Sequence, residues 1–517
     1  MKFHNLFISS VSACFEFDNT NPFYSEEKFN IILNGEKLEQ EYIKNVFSVY
    51  GLNPDTEYTI QTTISDFSYK FKTEKESACL CVLDFGARGD GINNDTVALQ
   101  TAINACPPNG RVVVPCGTYL TGPLFLDSDM TLDIQSGAII LGSTDPLDYP
   151  VWPGEIKISE TGEVLQTSSF EGDPMASHQS LLSASYKKNI RIVGEGELDG
   201  NAQNSIWWVN HRQRPIARPR MLFTNACENI VMHGITVKNS PSWNLHPFFS
   251  KNIGFYDMHI LAPENSPNTD GCNPESCDDV KMIGMHFSVG DDAIAIKAGK
   301  IYYGMKYAVP ASNHVIRNCL MEFAHGGVVL GSEMSCGIKD LEVSQCLFKG
   351  TDRGLRIKTR RGRGKNGIID GIKFENIKMD NVLTPLVVNM FYFCVDPDGK
   401  SEYVQSWDKQ PVDDGTPYIG KFHFKDIECV NCEYSAGFFF GLPEQPIGGI
   451  TLENVSFHMK EDAGAGQSAM MSNMPDFSKV GLHLHNVKEV NLKNVSFEGI
   501  VGDEIIKINV DKFKREV

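Results

Sequence analysis

The chain has no uninterrupted apolar run approaching the roughly 18 to 20 residues that a membrane span requires, so no membrane partner is expected. Positive charge is in deficit: 47 Lys and Arg face 65 Asp and Glu, a net charge of −18 at pH 7. This balance argues against nucleic acid as the main partner, and a polyanionic ligand would need a local basic patch. A compact disulfide framework is missing as well. The 14 cysteines are scattered through 517 residues, which favours a reducing, cytoplasmic setting. Cys429-Val430-Asn431-Cys432 has zinc-knuckle spacing but no second Cys or His pair, so both are expected to be buried strand thiols. A full secretion signal is also lacking. Val11-Ser12-Ala13-Cys14 resembles a lipoprotein cleavage site, which makes export or lipid anchoring through Cys14 the alternative. Leu6-Phe7-Ile8, however, is shorter than the roughly 7 to 15 apolar residues of a signal core.

What is present describes a chain with a sizeable core. Hydrophobic residues make up 41% and charged ones 22%, and the length suggests one large domain with one or two smaller ones. Residues 1–76 carry short alternating runs such as Phe29-Asn30-Ile31-Ile32-Leu33 and Tyr58-Thr59-Ile60-Gln61-Thr62, divided by Asn34-Gly35 and Asn53-Pro54-Asp55. Period-two strands with such turns indicate a small antiparallel β-sandwich. Gly51 to Tyr58 resembles the tyrosine-corner segment of fibronectin type III domains, and Lys72 to Glu76 is the expected linker.

The second domain is expected over residues 77–517, and the pattern changes from Val82. Asp95 before Thr96-Val97-Ala98-Leu99 predicts a capped short helix able to cover the open end of a solenoid. After it a unit recurs: Asn189-Ile190-Arg191-Ile192, Asn229-Ile230-Val231-Met232, Asn252-Ile253-Gly254-Phe255, Asp279-Val280-Lys281-Met282, and later Ile450-Thr451-Leu452-Glu453 and Val490-Asn491-Leu492-Lys493. Short apolar strands separated by polar turns, with few helical stretches, predict a right-handed parallel β-helix, an all-β architecture in which each coil buries its inward residues against the next. Longer insertions near 144–178, 201–220 and 384–420 would project as loops walling one face.

Four polar clusters recur within this solenoid: Asn268-Thr269-Asp270-Gly271, Gly290-Asp291-Asp292, His325-Gly326-Gly327 and Arg356-Ile357-Lys358. Asp270 and Asp291 are about 21 residues apart, close to one coil, and coils stack at about 4.8 Å. Neighbouring strand residues face opposite sides, so Asp291 and Asp292 share a cleft only if Gly290 sets them at a bend. Three clustered carboxylates should raise at least one pKa. One protonated and one ionised carboxyl are what glycosidic hydrolysis requires. Arg356 and Lys358 flank Ile357 and point outward together, suited to carboxylate or phosphate groups. The following run Arg361 to Lys365 is expected to be a solvated charged loop.

Together the clusters resemble, in order and spacing, the four motifs of the polygalacturonases, family 28 of the glycoside hydrolases. The resemblance implies inverting hydrolysis of α-1,4-galacturonosyl bonds, with galacturonan polysaccharide or oligosaccharide as partner and no metal or cofactor. It makes Asp291 the general acid, Asp270 and Asp292 the pair holding the attacking water, and His325 the group that tunes the acid. Arg356 and Lys358 would hold a galacturonate carboxylate, with Asn268 and Gly326 in the same substrate-binding motifs. Ala324 replaces the usual glycine before the histidine. Adjacent coils would also set the carboxyls closer than the roughly 6.5 to 9.5 Å expected of inverting enzymes.

The fibronectin-like domain, Trp243 to Pro247, Pro274 to Cys277 and Ile296 to Lys300 resemble the exo-acting bacterial branch, in which loops close one end of the cleft. Trp207, Trp208 and Trp243 are candidate sugar-stacking faces, and Lys297, Arg212 and Arg214 are candidate carboxylate contacts. A calcium-dependent polysaccharide lyase on the same fold and a non-catalytic carbohydrate-binding solenoid are the alternative functions. The number of chains that assemble is left open.

Overall fold

The structure, a computed structural model, describes residues 1–211, 215–393 and 397–516. The alternating N-terminal runs form seven antiparallel strands, β1 Phe3–Ile8, β2 Ala13–Phe17, β3 Tyr24–Leu33, β4 Glu36–Lys44, β5 Val46–Val49, β6 Glu57–Thr62 and β7 Ser65–Lys72. Strands β1, β2 and β5 make one sheet, and β4, β3, β6 and β7 the other. Phe3, Phe15, Phe17, Phe29 and Phe47 fill the space between them with ring centroids 4.9–5.9 Å apart. The Asn53 N–H donates to the Tyr58 hydroxyl at 2.9 Å, the tie of a tyrosine corner.

This sandwich docks on the solenoid through packing and charge. Phe7, Cys14 and Val46 meet Val193, Tyr256 and Ile283, so Cys14 is a fully buried contact in β2. Arg317 forks onto Glu16 at 2.8 and 2.6 Å. His233 lies between the Ser12 and Ser48 hydroxyls at 3.1 and 2.9 Å, and burial lowers its pKa to about 4.

Parallel pairing begins at Cys79–Cys81 and Asp90–Asn94. Helix α1, Thr96–Ala105, lays Leu99, Ala102 and Ile103 against the first coils. Asp95 precedes the helix without capping it. Its carboxylate accepts the Arg88 and Gly89 N–H groups at 2.8 and 3.0 Å, fastening the preceding turn instead.

The recurring unit stacks in register. Ile190, Ile230, Ile253, Val280, His314, Leu341, Ile372, Phe422, Ile450 and Val490 pair successively, forming one inward column of a parallel β-helix. These strands enter through a left-handed residue at their second position, which Asn189, Asn229 and Asn252 supply at φ 55–58°. Their amides stack as well: Asn229 donates to Asn189 at 2.8 Å. The first two insertions leave the helix near the expected positions, while the third begins only after the strand Thr384–Asn389, which pairs within the solenoid; a further insertion, residues 460–479, carries no change in composition. Cys429 and Cys432 are buried in the core.

Candidate active site

Three of the four clusters occupy equivalent turns of consecutive coils, and Arg356 and Lys358 reach the same face from the strand Arg353–Lys358 of the next coil. Gly290 to Asp292 lies between the strands His286–Ser288 and Ile294–Ile296, at a bend rather than within a strand. Backbone bonds fix the stack: Gly271 N–H donates to Asp292 O at 3.0 Å, Ala293 N–H to Gly326 O at 2.8 Å, and His325 N–H to Asp291 O at 3.1 Å. Asp270, Asp292 and Gly326 thus form one column, and Asp291 and His325 a second beside it. Gly326 is where a side chain cannot go, since a Cβ there would lie 2.4 Å from Val329 Cγ2 and 3.0 Å from Asp292 Oδ1.

One oxygen from each of Asp270, Asp291 and Asp292 lies within 4.8 Å of the others. That is shorter than the roughly 6.5 to 9.5 Å separation typical of inverting glycosidases. Environment divides the three. Burial, then the Asp291 charge, raises Asp270 to about 8 despite Lys297 and a 2.8 Å hydrogen bond from Asn273. Burial works to raise Asp292 too, but Lys358 at 2.6 Å and Arg356 at 3.3 Å outweigh it and hold the carboxyl at about 2. Asp291 is half-buried, its Oδ1 3.7 Å from His325 Nδ1. The neighbouring Asp291 carboxylate raises the pKa of the half-exposed His325, against partial burial. In this structure Arg356 and Lys358 are counter-ions of Asp292.

The same three carboxylates are the donor set a cation could use. Asp292 is already neutralised by two side-chain cations, and Asp270 prefers its proton, so the group offers few of the free ionised carboxylates a calcium site draws on.

Around the acids is a cavity of about 520 Å³. Its inner wall is a hairpin, Ser169–Phe170 paired with Asp173–Pro174, from the first long insertion. Gly172 at its tip has φ +78°, and a Cβ there would lie 2.7 Å from Glu333 Cγ and 2.8 Å from Lys300 N. The tip is wedged into the solenoid face, where Lys300 N–H donates to Gly172 O at 2.8 Å and Lys300 Nζ is 2.9 Å from Asp173. At the base, Ser169 Oγ is 3.0 and 3.2 Å from the Glu275 carboxylate oxygens. Burial pushes Glu275 up to about 7, and His246 touches it at 3.0 Å.

Asn268 lines the cavity and accepts a hydrogen bond from Arg218 at 2.6 Å. Lys297 also lines it, 2.9 Å from Glu333 and over the Trp243 ring. Burial opposes the Lys297 charge, but Glu333 and Asp270 raise its pKa above the usual lysine range.

Three expectations need correction. Trp207 is fully buried against Tyr149 and His178, and neither it nor Trp208, whose indole donates to Ser240 O, lines the cavity. Trp243 does line the cavity, but Phe170 stacks on it at 5.3 Å. Arg361 and Arg363 are buried, not solvated. Arg361 forks onto Glu444 at 2.6 and 3.0 Å and donates to the Tyr403, Val404 and Ser406 carbonyls, because the third long loop folds over it. Of the charged residues in that run only Lys365 is exposed. Arg212 and Arg214 lie outside the described residues.

Residues 135–408, just over half of the chain, match the family described as "Glycosyl hydrolases family 28". The chain belongs to this family. Among family 28 relatives, a "Probable polygalacturonase" of Vitis vinifera is 31% identical over 395 residues, 74% of each chain. An "Exo-poly-alpha-D-galacturonosidase" of Dickeya chrysanthemi is 27% identical over 76% of this chain and 69% of that relative. A Thermotoga maritima exopolygalacturonase structure superposes with TM-score 0.65 at 25% identity, over 82% of this chain and 93% of its own. The family 28 exopolygalacturonase of Yersinia enterocolitica reaches TM-score 0.72 at 20% identity and covers 99% of this chain and 98% of its own, so the fold extends through the N-terminal sandwich.

Sequence reading missed Glu171, Asp173, Lys300, Glu333 and Arg363, all of which line the cavity. Glu333 stands on the coil after Lys297, where the Ala298 N–H donates to Glu333 O, whereas Arg363 belonged to the run read as solvated. Glu171 and Asp173 come from an insertion with no repeat to align them.

Proposed function

We propose that this family 28 enzyme hydrolyses α-1,4-galacturonosyl bonds at a chain end of pectate or oligogalacturonides. The observation that carries the reading is the unequal pair Asp270 and Asp292, one held protonated and one ionised beside Asp291, in a cavity closed by the 169–174 hairpin. Asp291 gives its proton to the glycosidic oxygen as the bond to the anomeric carbon breaks. Water, held by Asp270 and Asp292, attacks that carbon from the opposite face and loses a proton to the ionised Asp292. His325 supports the charge left on Asp291, and the configuration inverts. Lys358, Arg356 and Lys297 keep the cavity attractive to a uronate despite the chain's net −18.

The test is a time course on polygalacturonate with wild type and Asp291→Asn. Expected are one short product size from the earliest times, inversion at the anomeric carbon by NMR, and loss of turnover by orders of magnitude in the variant while oligosaccharide binding persists. A ladder of intermediates would refute chain-end action, and unchanged turnover would remove Asp291. Activity should survive exhaustive chelation; rescue by calcium with an ultraviolet-absorbing product would favour the lyase.

We also place the enzyme in a reducing, cytoplasmic compartment, a reading supported by 13 unpaired thiols among the described residues. Activity found in the extracellular fraction of the source cells would overturn it.

A further inference from the structure

Every acid of the cavity except one has a partner. Asp270 is bonded by Asn273, Asp291 meets His325, Asp292 holds Lys358 and Arg356, Glu333 holds Lys297, and Asp173 holds Lys300. Glu171 lines the same cavity and, among the described residues, has no hydrogen-bond or ion-pair partner. It stands at the hairpin tip beside Gly172, at φ +49°, on a turn pinned from both sides as described above. The carboxylate is thus rigidly presented but chemically unspent. Its side chain is exposed within the cavity, and partial desolvation by the surrounding wall and then the Glu333 charge raise its pKa, against Lys300, Lys297 and Arg218. A carboxylate held at this tip can exchange its water for a hydroxyl donor on a ligand in a charge-assisted hydrogen bond.

A galacturonan chain offers one donor at its end that it offers nowhere else. In every internal unit the C4 oxygen bridges to the next sugar and cannot donate, whereas the non-reducing terminal sugar carries a free C4 hydroxyl. We propose that Glu171 accepts this terminal hydroxyl and is the residue that reads a saturated non-reducing end. The inference rests on the galacturonan-hydrolase reading above. It also assigns a place in a reaction sequence. Chains cut by hydrolysis end in a sugar that keeps the C4 hydroxyl, while chains cut by β-elimination end in a 4,5-unsaturated sugar that lacks it. This enzyme would consume the products of hydrolytic rather than eliminative depolymerisation.

The experiment compares saturated tetragalacturonate, its 4,5-unsaturated counterpart, and the saturated oligomer reduced to the alditol at its other end. Wild type should show kcat/KM at least about tenfold higher on the saturated than on the unsaturated oligomer, and equal values on the alditol and its parent. Glu171→Ala should slow the saturated substrate to the unsaturated rate, and Glu171→Gln, which keeps an acceptor oxygen, should retain part of the preference. Equal wild-type rates on both ends, undiminished discrimination in Glu171→Ala, or failure on the alditol would each overturn the assignment. The wild-type comparison decides even if a variant does not fold. Absence of hydrolysis of all three by wild type would instead overturn the underlying function.

Discussion

Lys358 Nζ lies 2.6 Å from Asp292 Oδ2, and Arg356 Nη1 lies 3.3 Å from the other oxygen of the same carboxylate. The strand pair that the sequence suggests as a grip for substrate carboxylate is, first of all, what keeps a buried acid ionised. A substrate carboxylate must share these cations with Asp292.

Removing the Lys358 charge should therefore change proton affinity as well as binding. In Lys358→Met the Asp292 pKa rises from about 2, so the acidic limb of the kcat/KM profile moves to higher pH. Efficiency on pectate near neutrality should fall by about tenfold or more. A rise in KM with the acidic limb unmoved would show that the lysine serves the substrate alone.

Asp270 makes the opposite prediction. Its carboxyl titrates near 8 in the fold against 3.8 ordinarily, so between these pH values the unfolded chain has released a proton that the folded one retains. The stability this group contributes is present in full below about pH 4 and is lost as pH rises to about 8, at up to about 1.4 kcal/mol per pH unit. Asp270→Asn removes the titration, so its melting temperature relative to wild type should climb from pH 5 to pH 9. A constant difference across that range would contradict the raised pKa, as would wild-type activity that shows no alkaline limb near pH 8.

Arg361 tests the third loop. Leaving Glu444 buried without its partner should make Arg361→Met unstable by about 3–5 kcal/mol. Lys365→Met, four residues on and exposed, should change stability by less than about 0.5 kcal/mol. Equal effects of the two in chemical denaturation would restore the picture of a solvated charged run.

The β-helix and the catalytic cluster were legible because a solenoid turns sequence period into spatial position. Once Asn189, Asn229 and Asn252 mark equivalent turns, residues one coil apart must stack, and Asp270, Asp291 and His325 converge with little help from distant parts of the chain. The tyrosine corner was legible for a similar reason, since Asn53 and Tyr58 are five residues apart and their bond is local.

What the amino-acid order determined by itself was thus the periodic part: strands, turns, the column of inward residues, and the set of acids and cations on one face. Tertiary structure alone decided how those groups are spent. Whether Arg361 is solvated or buried depends on a loop some 40 residues away folding over it, and whether Trp207 meets sugar or core depends on Tyr149 and His178. The charge states of Asp270 and Asp292 likewise follow from burial and from which cation lies within about 3 Å. Insertions escape the repeat, and desolvation and ion pairing are set by distances in space that no spacing along the chain records.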